Sequence, residues 1–285
     1  SSAALIALGL LASGSASAAS CTWNSTNGNW NELAKWLSCV TGNGNPGGVP
    51  GSADSATIGA TGVVTVNNGQ SIGALANAGQ VIVDGTSLRV TGGITGPGTT
   101  TIQGGGLLNL ENTQTVGGNA TIVFGSGGNN RIGIDGGSKV VTFAAGTTVR
   151  GQSGSIGLGQ LVNGSGNSVI NQGLISSDSG GTISIVQSGL TNQGIAEATG
   201  AGSMLSLQAG VTNIGGTLRA TAGGVVRQEG VGVTGGTITT SGGGSYQLSG
   251  SGNNFLNGVT VTSGSLIDMA LPGSLARVTG GMTLN

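Results

Sequence analysis

The sequence predicts an all-β chain folded as a parallel β-solenoid, a rod in which short strands stack rung upon rung. Three observations predict it. Gly accounts for 62 of the 285 residues, short β-branched runs alternate with Gly/Asn/Ser turns, and several residue types recur every 21 positions. Three short strands with three turns fill about one such rung. A β-sandwich, the alternative architecture, has longer strands and no fixed register of this kind.

Composition excludes several classes of protein. Gly does not occur at every third position and Pro numbers only 4, which excludes collagen. With 36% hydrophobic residues and a net charge of -1, the chain can bury a core and is not of the disordered class. It has no His, which removes Ser-His and Cys-His catalysis and His-ligated zinc. Its 8 Lys and Arg form no cluster, so we expect no nucleic-acid partner.

Residues 1–18 have the character of a secretory signal peptide that has lost its own N-terminus. An apolar run of about ten residues, too short to span a bilayer, precedes an Ala16-Ser17-Ala18 cleavage pattern. At the other end the chain stops in mid-pattern at Asn285. The sequence is therefore predicted to be a fragment of a larger exported protein, truncated at both ends.

Residues 19–51 are predicted to form an N-terminal cap followed by a turn-rich linker. Cys21 and Cys39 are the only cysteines, and in an exported chain they are expected to pair as a disulfide. Lipidation of Cys21 is the alternative. A match to G-x-G-x-x-G in the linker is a result of composition, because no strand and helix frame it.

The three Trp residues of the chain lie between the two cysteines, at Trp23, Trp30 and Trp36. Such rings can stack on sugars, or they can close the exposed end of a repeat fold, which needs a terminal cap. We favour the cap.

Residues 52–285 are predicted to be solenoid repeats. No stretch beyond the cap and signal has helical periodicity. About eleven rungs follow the cap, which gives a rod of about 50 Å. Short strands are indicated where aliphatic and β-branched residues cluster between turns, for example at 63–66, 81–83, 88–90, 100–102, 107–110 and 121–124.

The repeat is clearest in the second half of the chain, where four sets of residues recur 21 positions apart. An Asn ladder of this kind can hydrogen-bond along the rod axis, and apolar sets fill the interior. The ladder residues are Asn171, Asn192 and Asn213, with Gly181, Gly202, Gly223 and Gly244. The predicted core columns are Ile183, Met204, Val225 and Tyr246, and Val169, Leu190 and Val211. A mixed fifth set, Ile185, Ser206, Arg227 and Leu248, predicts that the register drifts by a residue.

The sequence predicts no enzyme, no cofactor and no metal site. β-Helix lyases and glycosidases use clustered carboxylates with Arg or Lys, and this chain has nine Asp and Glu. The best constellation is Asp178, Glu197 and Arg219, which we interpret as a solvated charge ladder. A polysaccharide-active β-helix enzyme is kept as a remote alternative. Two further pairs are interpreted as surface ion pairs: Arg131 with Asp135, and Arg227 with Glu229.

The N-terminal region and the repeats resemble a known group of proteins. Three Trp-containing dipeptides are followed by GVPG at 48–51 and DSATI at 54–58, and then by Asn-Gln-Gly and Gly-Gly-Thr rungs. This pattern resembles the passenger domains of bacterial autotransporters and β-strand-repeat surface adhesins. The resemblance implies a right-handed parallel β-helix, exported by a Gram-negative cell through an outer-membrane β-barrel translocator in the missing C-terminal part.

The predicted function is that of a cell-surface or extracellular passenger rod, an adhesin or stalk. Its Ser/Thr/Asn-rich faces would meet host or sister-cell glycans or matrix proteins through many weak contacts. The alternative is a self-associating surface or biofilm-matrix protein, assembled through unpaired strand edges. Ice binding is a weaker third alternative, because the Thr residues of segments such as 99–102 and 260–262 are not expected to keep one register.

Overall fold

The computed structural model describes residues 18–24, 26–39, 48–159, 166–187 and 189–285. These residues form an all-β parallel solenoid of about ten turns. No α-helix occurs among them, and one 3₁₀ turn, Leu33–Lys35, lies near the N-terminus. The predicted signal peptide lies outside the described residues except for Ala18. No helix in the described part of the chain is long and apolar enough to cross a membrane.

The rod contains 33 short strands among the described residues. In chain order they are β1 (Ser20–Trp23), β2 (Asn27–Asn29), β3 (Trp36–Leu37), β4 (Ser55–Ile58), β5 (Val63–Val66), β6 (Gln70–Ile72), β7 (Ala74–Asn77), β8 (Gln80–Asp84), β9 (Ser87–Val90), β10 (Ile94–Thr95), β11 (Thr99–Gln103), β12 (Leu107–Glu111), β13 (Gln114–Val116), β14 (Thr121–Phe124), β15 (Arg131–Asp135), β16 (Val140–Phe143), β17 (Thr148–Gly151), β18 (Gly154–Leu158), β19 (Ser168–Asn171), β20 (Leu174–Ser177), β21 (Gly181–Ile185), β22 (Gly189–Asn192), β23 (Ile195–Thr199), β24 (Ser203–Leu207), β25 (Val211–Thr212), β26 (Thr217–Thr221), β27 (Val225–Gln228), β28 (Gly232–Thr234), β29 (Thr237–Ser241), β30 (Ser245–Leu248), β31 (Asn254–Val261), β32 (Ile267–Asp268) and β33 (Ala276–Leu284).

Three parallel ladders run along the rod and define its three faces. Face 1 contains β1, β4, β7, β10, β13, β16, β19, β22, β25, β28 and the first part of β31. Face 2 contains β2, β5, β8, β11, β14, β17, β20, β23, β26, β29 and the last part of β31. Face 3 contains β6, β9, β12, β15, β18, β21, β24, β27, β30 and β32. β33 pairs with both parts of β31.

The predicted cap is the first rung of the rod. β1 pairs in parallel with β4, and β2 pairs in parallel with β5, so faces 1 and 2 begin inside the cap. β3 turns back and pairs antiparallel with β1, unlike every other pairing of the described strands. Continuous ladders therefore cross the predicted boundary between the cap and the repeats.

Along each strand, side chains point alternately into the core and towards the surface. In β5, for example, Val64 and Val66 are buried while Val63 and Thr65 are half-buried. Successive side chains of a strand point to opposite faces, and parallel rungs stack equivalent residues about 4.8 Å apart. The inward side chains therefore form columns along the axis. One column on face 3 is Leu88, Leu108, Ile132, Ile156 and Ile185.

The core column predicted at constant spacing is wrong at two positions. Ile183 pairs with Leu205, which pairs with Val226, and Val226 pairs with Tyr246. These four side chains are buried. Met204 and Val225, one residue earlier on their strands, are only half-buried. A shift of one residue moves a side chain to the opposite side of its strand, and the rungs here change in length by one residue at a time.

The glycine set follows the same drift. Gly181 pairs with Ser203 rather than with Gly202. The equivalent turn position, one residue earlier, is occupied by Gly with positive φ in four rungs. These residues are Gly180 (φ 66°), Gly202 (φ 80°), Gly223 (φ 84°) and Gly243 (φ 80°). Gly occurs there because this backbone conformation is strained for residues with a Cβ.

Rung length varies more than a fixed repeat allows. On face 3, Gln70 of β6 pairs with Leu88 of β9, 18 residues further on. Gly154 of β18 pairs with Ile183 of β21, 29 residues further on. The additional residues lie outside the paired strands, and the strand register is intact on both sides of them. Face 3 contains ten strands, whereas faces 1 and 2 each contain eleven and β33 adds one more level, so the rod is about 50 Å long, as the sequence predicts.

The corrected core register predicts that substitutions of two adjacent valines destabilise the protein to different extents. Val226→Ala removes methyl groups from the fully buried column and should lower the free energy of unfolding by about 2 kcal/mol. Val225→Ala makes the same chemical change at a half-buried position and should cost less than about 1 kcal/mol. Denaturant unfolding of both variants measures the difference, and an equal or reversed order would contradict the register.

Candidate functional site

The N-terminal rung is closed by a disulfide and a cluster of three Trp side chains. Cys21 and Cys39 are bonded to each other, and Trp23, Trp30 and Trp36 are at most 3% exposed. The ring of Trp36 lies 5.0 Å from that of Trp23 and 4.8 Å from that of Trp30, between centroids. Because the rings are buried against one another, they present no platform for a sugar. Cys21 is held in the disulfide, which leaves no thiol for a lipid.

Three potential metal ligands meet beside this cluster, at Cys21, Cys39 and Asp54. The two sulfur atoms are bonded to each other, so neither is the thiolate that a metal requires. The Asp54 carboxylate accepts hydrogen bonds from the backbone N–H groups of Ala19 and Gly51, each at 2.7 Å. The arrangement anchors the start of β1 to the following rung.

The Asn ladder lies inside the rod on face 1. Asn171 Nδ2 donates to Asn192 Oδ1, and Asn192 Nδ2 donates to Asn213 Oδ1, both at 2.7 Å. All three side chains are 0% exposed. The Nδ2 atoms of the first two also donate to the backbone carbonyls of Ile195 and Thr217. The ladder thus ties rungs together and satisfies carbonyl groups at the turn towards face 2.

Two carboxylates on or beside face 2, those of Glu197 and Asp178, are each held by an arginine. Glu197 and Arg219 are register partners, and Arg219 Nη2 lies 2.5 Å from a Glu197 carboxylate oxygen. The Ser176 hydroxyl donates to the same carboxylate at 2.9 Å. Asp178 is paired instead with Arg150, at 2.8 Å. The predicted constellation of Asp178, Glu197 and Arg219 is therefore divided between two ion pairs.

One of the two predicted surface pairs on face 3 is wrong. Arg131 and Asp135 stand at the two ends of β15, and residues four apart on an extended strand are separated by about 13 Å. No ion pair of the described residues includes Arg131. Arg227 and Glu229 are only two residues apart and lie 3.7 Å from each other.

Asp135 belongs to a polar cluster that the sequence did not indicate. Asn109 is 0% exposed, and its Nδ2 donates to Asp135 Oδ2 at 2.7 Å and to Glu111 Oε1 at 3.1 Å. Arg89 Nε donates to the same Glu111 oxygen at 2.5 Å. This contact with Glu111 raises the pKa of Arg89. A correct strand register would have predicted the cluster, because Glu111 and Asp135 are partners on adjacent rungs.

The outward side of face 2 carries threonine residues in register, contrary to the expectation from the sequence. Thr99, Thr121 and Thr148 stack on three successive rungs. Leu174 and Ile195 then interrupt the column. It resumes with Thr217, Thr237 and Thr260. The interruption, and the ion pairs in the adjacent column, break this hydroxyl surface into two short patches.

Face 3 carries a second hydroxyl column, the serine track, formed by Ser155, Ser184 and Ser206. Ser155 and Ser184 are half-buried, whereas Ser206 is only 2% exposed and accepts a hydrogen bond from Gln208 Nε2. Arg131 precedes the serine track by one rung and Arg227 follows it by one rung. At the Arg131 end a cleft of about 480 Å³ opens in the surface. Its walls include Arg131, Ser153, Ser155 and Thr182 with the turn residues Asn129 and Asn130.

A second cleft, of about 550 Å³, lies on face 2 and includes Arg150, Thr99 and Thr121. The two clefts differ in electrostatics. Arg150 is neutralised by Asp178, whereas the Nε of Arg131 is buried and has no hydrogen-bond partner. The sequence did not indicate either cleft, because each is built from residues of several rungs.

Comparison with protein-family models, with curated proteins and with solved structures finds no match.

The Asn ladder predicts that substitutions at two adjacent positions have very different effects on the free energy of unfolding. Asn192→Ala leaves the Asn171 amide and the Asn213 oxygen without their partner inside the rod, and should cost about 2–3 kcal/mol of unfolding free energy. Gln193→Ala changes the exposed neighbour, whose side chain only meets Gln172 at 3.2 Å, and should cost less than about 0.5 kcal/mol. Denaturant unfolding checks both, and similar stabilities would contradict a structural role for the ladder.

The disulfide predicts a local change that Trp fluorescence can follow, because all three Trp lie in the first rung. Reduction of the disulfide, whose cysteines are 18 residues apart in the sequence, should destabilise this rung by about 3 kcal/mol. Thermal unfolding of the wild type with and without reductant measures the shift. The Cys21→Ser, Cys39→Ser double variant is the control and should be insensitive to reductant. A wild type equally insensitive to reductant would argue against the assigned role.

Proposed function

We propose that this chain is an exported, rigid rod that acts as an adhesin or stalk at a cell surface. The observation that carries the proposal is the set of three ladders running continuously along the rod, with columns of Thr on the outward side of face 2. Each rung is hydrogen-bonded to the next, so the rod holds its surface groups at fixed intervals of about 4.8 Å. A binding surface of this kind engages a polymer through many weak, regularly placed contacts.

The chemistry of the surface supports a saccharide or matrix ligand over a nucleic acid. The outward columns of faces 2 and 3 present Thr and Ser hydroxyl groups, and several of the arginines beside them are paired with carboxylates. Little free positive charge is left for a phosphate backbone. Hydroxyl and amide groups suit the hydroxyl groups of sugars.

The first rung supports export. The Cys21–Cys39 disulfide persists in oxidising compartments and is rare in the cytosol of most organisms. Together with the predicted signal peptide, this favours an extracellular location. Delivery by an autotransporter-type route, with a β-barrel translocator, is part of the proposal and rests on the sequence resemblance.

A self-associating matrix protein is the competing proposal, and the two differ in measurable behaviour. An adhesive rod stays monomeric and binds an external polymer, whereas a matrix protein assembles in the absence of any partner.

The test combines light scattering with binding to immobilised polysaccharides of graded length. The full chain should remain monomeric, and its affinity should rise at least about tenfold as the polymer grows from a few sugars to a length that spans the rod. A matrix-protein panel is measured in parallel. Concentration-dependent assembly, or a failure to bind any polymer or matrix protein, would overturn the proposal.

A further inference from the structure

Arg131 and Arg277 are the two arginines of the described residues that form no ion pair, and of these Arg277 is held by the carbonyl of Gly252 and lies over the Phe255 ring. Arg89, Arg150, Arg219 and Arg227 each form an ion pair with a carboxylate. Arg131 forms none with the described residues, and it lines the cleft at the start of the serine track. A guanidinium group carries its full charge at any physiological pH. The cleft therefore holds a free positive charge.

The guanidinium also has an unused hydrogen-bond donor. The Nε atom of Arg131 is buried and has no hydrogen-bond partner. Buried donors are almost always satisfied in folded proteins, and an unsatisfied one is unfavourable. Because Nε is shielded from solvent, an acceptor that enters the cleft would meet the terminal Nη groups of the same guanidinium.

The remaining walls are polar and neutral. Ser153 Oγ accepts a hydrogen bond from the backbone N–H of Thr182 at 3.3 Å, which fixes one wall. Asn130 is 0% exposed, and its Nδ2 donates to the carbonyls of Gly125 and Gly127 at 3.1 and 3.0 Å, so it shapes the turn. Asn129 is exposed, and Ser155 is half-buried. No Asp or Glu contributes to the described walls.

We propose that this cleft binds the carboxylate of an acidic sugar within a polysaccharide, a uronic acid unit. The Arg131 guanidinium presents two parallel N–H donors that match a carboxylate. Its single charge matches a single negative charge, while a phosphate dianion would call for more cationic groups. Ser155, Thr182 and Asn129 would then hydrogen-bond the hydroxyl groups of the same or adjacent sugars. This assignment deepens the proposed function, on which it rests, by naming the class of ligand.

The experiment measures binding of the full chain to oligogalacturonate by calorimetry. Arg131→Gln should weaken binding about tenfold or more, because a charge-assisted hydrogen-bonded pair is lost. Arg131→Lys keeps the charge without the planar guanidinium, so its affinity should lie between those of the wild type and Arg131→Gln. The matched control is Arg227→Gln, the same change on the same face at an arginine already held by Glu229 and by Gln247 at 2.6 Å; it should change affinity less than about twofold.

Folding of each variant is checked by its melting temperature. If Arg131→Gln fails to fold, the Arg131→Lys variant and the loss of wild-type affinity with rising salt still test the assignment. Equal binding by wild type and Arg131→Gln would overturn it, as would preference for a neutral or a sulfated polysaccharide of the same length. Binding of the neutral polymer alone would leave the adhesive rod standing and remove only this site, whereas no binding of any polymer or matrix protein would remove both.

Discussion

The parallel hydrogen bonding between successive rungs is the constraint on which the rest of the structure depends. Once a strand pairs in parallel with the previous one, each residue is placed about 4.8 Å from its equivalent. Like residues then stack, and a side chain is tolerated only if its column can accept it. Asn171, Asn192 and Asn213 show the consequence, because the amide groups of the first two each donate to the next Asn along the axis. An isolated Asn at the same depth would be unfavourable.

The turns absorb the variation that the strands do not tolerate. Steps between face 3 partners range from 18 to 29 residues, and yet the inward columns stay apolar. Insertions therefore occur between the paired strands, and the described turns also contribute to surface features. The cleft beside Arg131 is formed where the turn around Asn129 and Asn130 meets β15, β18 and the start of β21. The rigid ladders position such a site, and the irregular corners give it a shape.

The interior of a solenoid rod is exposed at its ends unless something covers it, and the first rung shows how this chain covers the N-terminal end. β1 and β2 start the ladders, and β3 folds back antiparallel over β1. The Cys21–Cys39 bond and the three Trp rings then cover the interior. All three Trp residues of the chain are concentrated here, which fits a closing role, while the outward columns of face 2 carry small hydroxyl groups.

The sequence by itself determined the fold class, the disulfide and the Trp cluster, because these depend on residue types and local spacing: Gly turns, alternating strands and two cysteines. Constant spacing failed where rungs differ by one residue, so Met204 and Val225 were assigned to a column that belongs to Leu205 and Val226. Only the tertiary structure decided which side chains meet across rungs, including the Asn109 cluster, the threonine column and the cleft at Arg131. The physical reason is that a strand's register is set by pairing with its neighbours, and a shift of one residue exchanges core for surface.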